Sequence, residues 1–150
     1  MNDAFHFFTP IKVRFIETDA QGHVNFAHYL AYFDFGLTEY LHALGYSYSD
    51  MLADGVDMVY VRSDCEYRAP AYFEDVLNIY VRAERIGNTS VTYAFQAVKA
   101  ATGEVVASGH IVTVTIDRVS KQPIRVPDRL REALAHRSRA EALPTQGDRG

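Results

Sequence analysis

The 150-residue chain has a single cysteine and no excess of positive charge, and each shortage removes a class of protein. One thiol, Cys65, can form no intrachain disulfide and cannot supply the several thiolates of a zinc site. Lys and Arg number 15 against 19 Asp and Glu, a formal net charge of −4. No basic surface therefore advertises itself for nucleic acid, and no polybasic run suggests an anionic membrane. No apolar run approaches the roughly 20 residues that a membrane-spanning helix needs. The opening MNDAFHFFTP lacks the cationic start and long apolar core of a signal peptide. A reducing, cytoplasmic setting is the expectation. Two motifs are missing as well. Without HExxH or clustered His, Cys and Asp there is no call for a metal, and without GxSxG there is no serine nucleophile elbow.

What is present suits one compact domain over residues 1–150, with 48% hydrophobic residues to fill a single core. Residues 11–17, IKVRFIE, alternate in polarity and read as a strand. A polar turn, TDAQGH, follows. Leu30, Phe33, Leu37, Leu41 and Leu44 then recur at helical spacing, with Asn25 as N-cap and Gly45 as stop. Gly36 sits inside that helix at a cost of about 1 kcal/mol relative to Ala, which predicts close approach of another backbone. A short helical connection, YSYSDMLAD, leads into four strands at 56–68, 76–86, 89–100 and 104–117, rich in Val, Ile, Tyr and Thr. Turns at Gly87–Asn88 and Gly103 join them, and Pro70 demands a loop. VPDRLREALAHR reads as a short amphipathic helix, and residues from about 137 to 150 as a frayed tail. A long helix with an antiparallel sheet of about five strands curled around it is an α+β arrangement.

Asp19 is the residue that composition leaves open. It stands in the turn between the first strand and the aromatic-rich helix, where its side chain can bond nearby backbone N–H groups. A reactive carboxylate aimed at a helix N-terminus would occupy the same place.

Three segments, in order, resemble the hotdog-fold acyl-CoA thioesterases, in the branch of 4-hydroxybenzoyl-CoA thioesterase and the small Tol–Pal-associated thioesterases. They are ETDAQGHVNFAHYLAYFDFGLTEYL, YRAPAYFEDVLNI and RIGNTSVTYAF. The resemblance runs from Val13 to about Asp117. It implies a hotdog fold and hydrolysis of an acyl thioester with no metal or redox cofactor. The carrier would be CoA or an acyl-carrier protein, and the acyl group aliphatic or aromatic. A homodimer or dimer of dimers is implied, with each site shared between chains. The family's catalytic carboxylate falls on Asp19 and its oxyanion-binding backbone N–H on Phe26. A hotdog hydratase would need a His where Val24 stands. A non-catalytic acyl-binding protein of the same fold is the rival from another class.

The physical case for that pairing is direct. A helix N-terminus offers unpaired N–H groups and about half a unit of positive charge. Asp19 can deprotonate water or attack the carbonyl itself, and the sequence leaves both routes open. His23 is expected to be structural or substrate-orienting, and Asn25 to cap the helix or touch substrate. Tyr29 and Asp34 are candidates for the acyl pocket, although an aromatic residue at helical spacing is more often core and a solvent-facing helix position accounts for Asp34 equally. Asn88, Thr89 and Ser90 form the hairpin expected to hold the carrier, with Arg85 the nearest cation.

Overall fold

The computed structural model describes residues 5–137, so the expected tail lies outside the described residues from 138 onward. Five strands form one antiparallel sheet: β1 (Phe8–Lys12), β2 (Val56–Tyr67), β3 (Val76–Ile86), β4 (Ser90–Lys99) and β5 (Val105–Asp117). Three α-helices accompany them: α1 (His28–Leu44), α2 (Tyr48–Ala53) and α3 (Asp128–Arg137). The strand order is β1-β3-β4-β5-β2. The two hairpins β3–β4 and β4–β5 form the centre, while β1 and β2 reach the edges through long connections. The second to fifth strands begin and end within a residue of their expected limits.

The first strand does not. It was expected at 11–17 and lies at Phe8–Lys12. Its ladder with β3 runs from Phe8 opposite Tyr80 to Lys12 opposite Val76, and then the partner strand is exhausted. Val13 still donates to the Asp75 carbonyl at 2.9 Å. Beyond it the chain turns through a short 3₁₀ segment, Phe15–Glu17. The apparent alternation therefore breaks: Phe15 and Ile16 are 75% and 78% exposed, and Glu17 is buried.

Helix α1 lies against the sheet through Tyr29, Tyr32, Phe33, Gly36, Leu37, Tyr40 and Leu41, residues three and four apart on one face. Phe33 stacks on Phe95 of β4 with ring centroids 4.9 Å apart. At Gly36 a Cβ would stand 2.7 Å from Ile79 Cγ2 and 3.1 Å from Val81 Cγ2. The close approach anticipated there is real, but side-chain methyls of β3 cause it rather than another backbone. The helix closes at Gly45, whose φ of 81° is the left-handed conformation glycine adopts without strain.

The sheet's two edges differ. β1 is 5 residues long and half-covered, whereas β2 runs 12 residues and is exposed along most of its length. Val59, Tyr60, Val61 and Tyr67 are among its exposed apolar side chains. A long edge strand of that kind is a template for pairing with another chain.

Candidate active site

The segment between β1 and α1 is organised around the buried Glu17 carboxylate. Its Oε1 accepts the Arg14 N–H at 2.8 Å and the Tyr32 O–H at 2.9 Å; Oε2 accepts the Arg14 guanidinium at 2.9 and 2.6 Å. Burial works to raise the Glu17 pKa, but the hydrogen bonds from Arg14 and Tyr32 outweigh it and hold it below the ordinary value. The Glu17 carbonyl then accepts the Asn25 N–H at 2.9 Å, and Thr18 bridges to Val24. A compact loop, residues 18–24, is thereby pinched off and tied to α1 through Tyr32.

Asp19 sits at the head of that loop. Its Oδ1 accepts the Gln21 N–H at 2.9 Å, and its own N–H donates to the His23 carbonyl at 3.0 Å. Thus it makes the turn bond that a structural Asp would make, and still has Oδ2 without a protein partner among the described residues. The far side of the loop is stitched to the segment after β2 by Val24 N–H to Ala71 O at 2.8 Å. His23 also pairs with Tyr72 as an isolated bridge. A cleft of about 380 Å³ opens between the loop, the start of α1 and the end of β2. Asp19, His23, Phe26 and Tyr29 all line it, together with Tyr67 and Arg68.

The helix start is two residues later than expected. α1 begins at His28, and its N-cap is Ala27. Asn25 instead caps the turn before it, with Oδ1 accepting the Ala27 N–H at 3.1 Å and its carbonyl accepting the His28 N–H at 3.0 Å. Those two donors are consumed. The Phe26 N–H is left with no hydrogen-bond partner among the described residues. The Phe26 ring is 67% exposed and meets Tyr67 edge-on at 6.1 Å. Tyr29 also packs edge-on against Tyr67 at 5.7 Å, and burial pushes its hydroxyl up to about 12, so it stays protonated at neutral pH. His23 Nδ1 lies 3.2 Å from the Val24 carbonyl. A carbonyl only accepts, so the ring donates to it through Nδ1.

The other expected site residues lie elsewhere. Asp34 is one face of α1 farther along, where it accepts the Tyr60 O–H from β2 and lines a second cavity. Asn88, Thr89 and Ser90 form the β3–β4 turn, at the end of β3 remote from the Asp19 loop. The 11 residues of β3 put about 33 Å between the two ends. No single chain brings them together. The hairpin does have a cation that the sequence did not reveal: Arg131 of α3 donates to the Gly87 and Asn88 carbonyls at 2.9 and 3.3 Å. Its distance along the chain hid it. Tyr67, Arg68 and Pro70 were missed for the same reason, although the loop demanded by Pro70 was the usable signal.

The chain is similar in sequence and fold to several known proteins. A family model described as the thioesterase-like superfamily matches residues 13–134. The Escherichia coli acyl-CoA thioester hydrolase YbgC is 28% identical over 118 residues, 79% of this chain and 87% of that protein. The long-chain acyl-CoA thioesterase FadM of Escherichia coli is 30% identical over 126 residues, 84% of this chain and 95% of that one. The crystal structure of the PA5185 protein from Pseudomonas aeruginosa matches with a TM-score of 0.80 and 34% identity, covering 89% of this chain and 92% of that chain.

Proposed function

The chain belongs to the thioesterase-like superfamily, and from that premise we propose how its hotdog frame carries out acyl-CoA thioester hydrolysis. The protein is a thioesterase: acyl-CoA and water become a free acid and a thiol. The observation that carries the mechanism is the shared cleft of Asp19 and Phe26, one with an uncommitted carboxylate oxygen and the other with an uncommitted N–H.

In this reading the thioester carbonyl accepts a hydrogen bond from the Phe26 N–H at the positive end of α1. As the carbonyl carbon is attacked, negative charge gathers on its oxygen, and one such donor is typically worth about 10²–10³ in rate. Asp19 either takes a proton from the attacking water or adds to the carbonyl through Oδ2, giving an anhydride that water then opens. Both routes expel the thiolate. His23 Nε2 and the Tyr29 ring orient the substrate, and Asn25 keeps the Ala27 and His28 donors occupied so that Phe26 alone faces the carbonyl. Asp34 meets the acyl group farther along α1. The three motif segments support the finer placement in the hydroxybenzoyl-CoA and Tol–Pal-associated branch. No helix among the described residues is long and apolar enough to cross a membrane, and we assign the enzyme to the cytoplasm.

We further propose that two chains pair through their β2 edges as a homodimer or dimer of dimers, with Asp19 of one chain and the Asn88–Ser90 hairpin of its neighbour in each site. The separation of these two elements within one chain favours it, as does the exposed β2 edge. Two inactive variants, Asp19→Asn and Ser90→Trp, refolded together provide the test. In a mixed dimer with shared sites, one site receives both lesions and the other neither, so thiol release returns. Verified mixed dimers that stay inactive would refute the arrangement. Hydrolysis of acyl-CoA at the same KM as acyl-pantetheine would instead favour an acyl-carrier protein as the natural thiol carrier.

A further inference from the structure

Three cavities lie along the seam between α1 and β2, ordered along the helix by the residues that wall them. Phe26 lines the Asp19 cleft, Leu30 the next cavity and Asp34 and Leu41 the one after. Leu30, Asp34 and Thr38 are spaced four apart on α1 and form one row on one face, and Phe26 stands in the turn just before the helix. Across the seam, Tyr67 faces the first of these spaces and Met58 the last, while Tyr60 lines both the second and the third. Tyr60 is thus the partition between them. Its hydroxyl donates to Asp34, which ties strand to helix across the path. Beyond this bridge the last cavity, about 400 Å³, is walled by Leu41, Met58 and Tyr48.

We propose that the Asp34–Tyr60 bridge is a length stop for the acyl group. This rests on the thioesterase reading above and takes the acyl chain to run from the Asp19 cleft along α1 through the next two cavities. From His28, the first residue of α1, to Asp34 the helix advances about 9 Å, and the two turn residues before it add roughly 3 Å. An extended chain advances roughly 1.2 Å per bond, as a polypeptide does over its three bonds per residue, so about ten carbons fill the seam up to the bridge. The cavity past it would take a chain several carbons longer. Burial and the Asp34 contact both raise the Tyr60 pKa, so the hydroxyl remains a donor and the bridge stays closed at neutral pH.

The test is thiol release from saturated acyl-CoAs of four to sixteen carbons, by the full chain and its variants. Wild type should lose kcat/KM beyond about ten carbons. Tyr60→Ala removes the partition and should raise the ratio of fourteen-carbon to ten-carbon kcat/KM by about tenfold or more, the discrimination that a few methylenes supply. Adding Thr38→Trp, which refills the last cavity, should take that gain back. Tyr60→Phe keeps the ring and breaks only the bridge, so it should shift the ratio the same way by less; it carries the test if Tyr60→Ala does not fold. A wild-type optimum at fourteen carbons or more would overturn the length stop, as would an unshifted ratio in both variants while ten-carbon turnover persists. Absence of thiol release by wild type on every chain length would overturn the thioesterase reading and the stop with it.

Discussion

Glu17 and Asp19 are two residues apart and their surroundings are opposites. The Glu17 side chain is 4% exposed and its partner Arg14 is 73% exposed; four hydrogen bonds from Arg14 and Tyr32 fill both of its oxygens. Asp19 is half-exposed, accepts one backbone N–H and faces a cleft. A carboxylate whose lone pairs are all engaged has nothing left for chemistry, and its removal leaves buried donors orphaned. A carboxylate with a free oxygen can react, and its removal leaves the fold little changed. One region holds the loop, and the other is the one we propose reacts. The difference comes from the neighbours, since the two side chains have the same functional group.

The most decisive way to sharpen that comparison is Asp19→Asn. The amide oxygen can still accept from Gln21, so the turn persists, but neither base nor nucleophile remains. We expect kcat to fall by about 10³-fold, within the usual range for a positioned base, with an unchanged melting temperature. Near-wild-type turnover would end the catalytic role of Asp19, and a collapse in stability would make it a second Glu17.

Glu17→Ala should give the converse. It orphans the Tyr32 hydroxyl, on a residue only 2% exposed, and the Arg14 N–H, and it removes the tie between the loop and α1. A loss of about 1–3 kcal/mol is expected for leaving those donors unpaired, measured by urea denaturation. A stable Glu17→Ala variant would mean that the 3₁₀ turn holds itself.

pH separates the two regions more gently. The Glu17 pKa is lowered in the folded protein, so on acidification the unfolded chain takes up its proton first. The contribution of Glu17 is therefore complete above the ordinary carboxyl value of about 4.3 and is lost as pH falls below it toward the folded value. Asp50 and Asp117 are shifted in the same direction by backbone hydrogen bonds and add to the acid loss. The comparison of wild type with Glu17→Gln isolates the share of Glu17. Denaturation midpoints at pH about 7 and about 3.5 should differ less in the variant; an equal difference would remove Glu17 from the acid response.

The same contrast explains what the sequence made legible. β2 to β5 and the face of α1 were readable because period and turn residues are local signals. β1 was placed too late because its end is set by where β3 begins, at Val76, some sixty residues away. Asp19, His23, Phe26 and Tyr29 line one cleft because a single loop and helix start present them. Glu17 was read as an ordinary polar position in a strand. Its burial depends on Tyr32, and no spacing in IKVRFIE announces a partner fifteen residues on. Tyr67 and Arg68 enter the cleft only because Val24 pairs with Ala71, a contact between distant segments.

The finest cut is Tyr32→Phe, which tests whether holding and reacting are separable at all. The substitution removes one hydroxyl donor from Glu17 and leaves the three bonds from Arg14. The carboxylate keeps most of its partners, and the ring keeps its place beside Tyr29. A loss of about 1 kcal/mol is then expected, the usual net value of one hydrogen bond. Turnover should change less than the tenfold that 1.4 kcal/mol would give, because the loop retains its Thr18–Val24 bridge and its bond to Ala71. A large fall in kcat at unchanged KM and near-normal stability would contradict that expectation. It would mean that the Tyr32–Glu17 bond sets the position of Asp19 relative to the Phe26 N–H, and that the buried carboxylate takes part in the reaction through its neighbour.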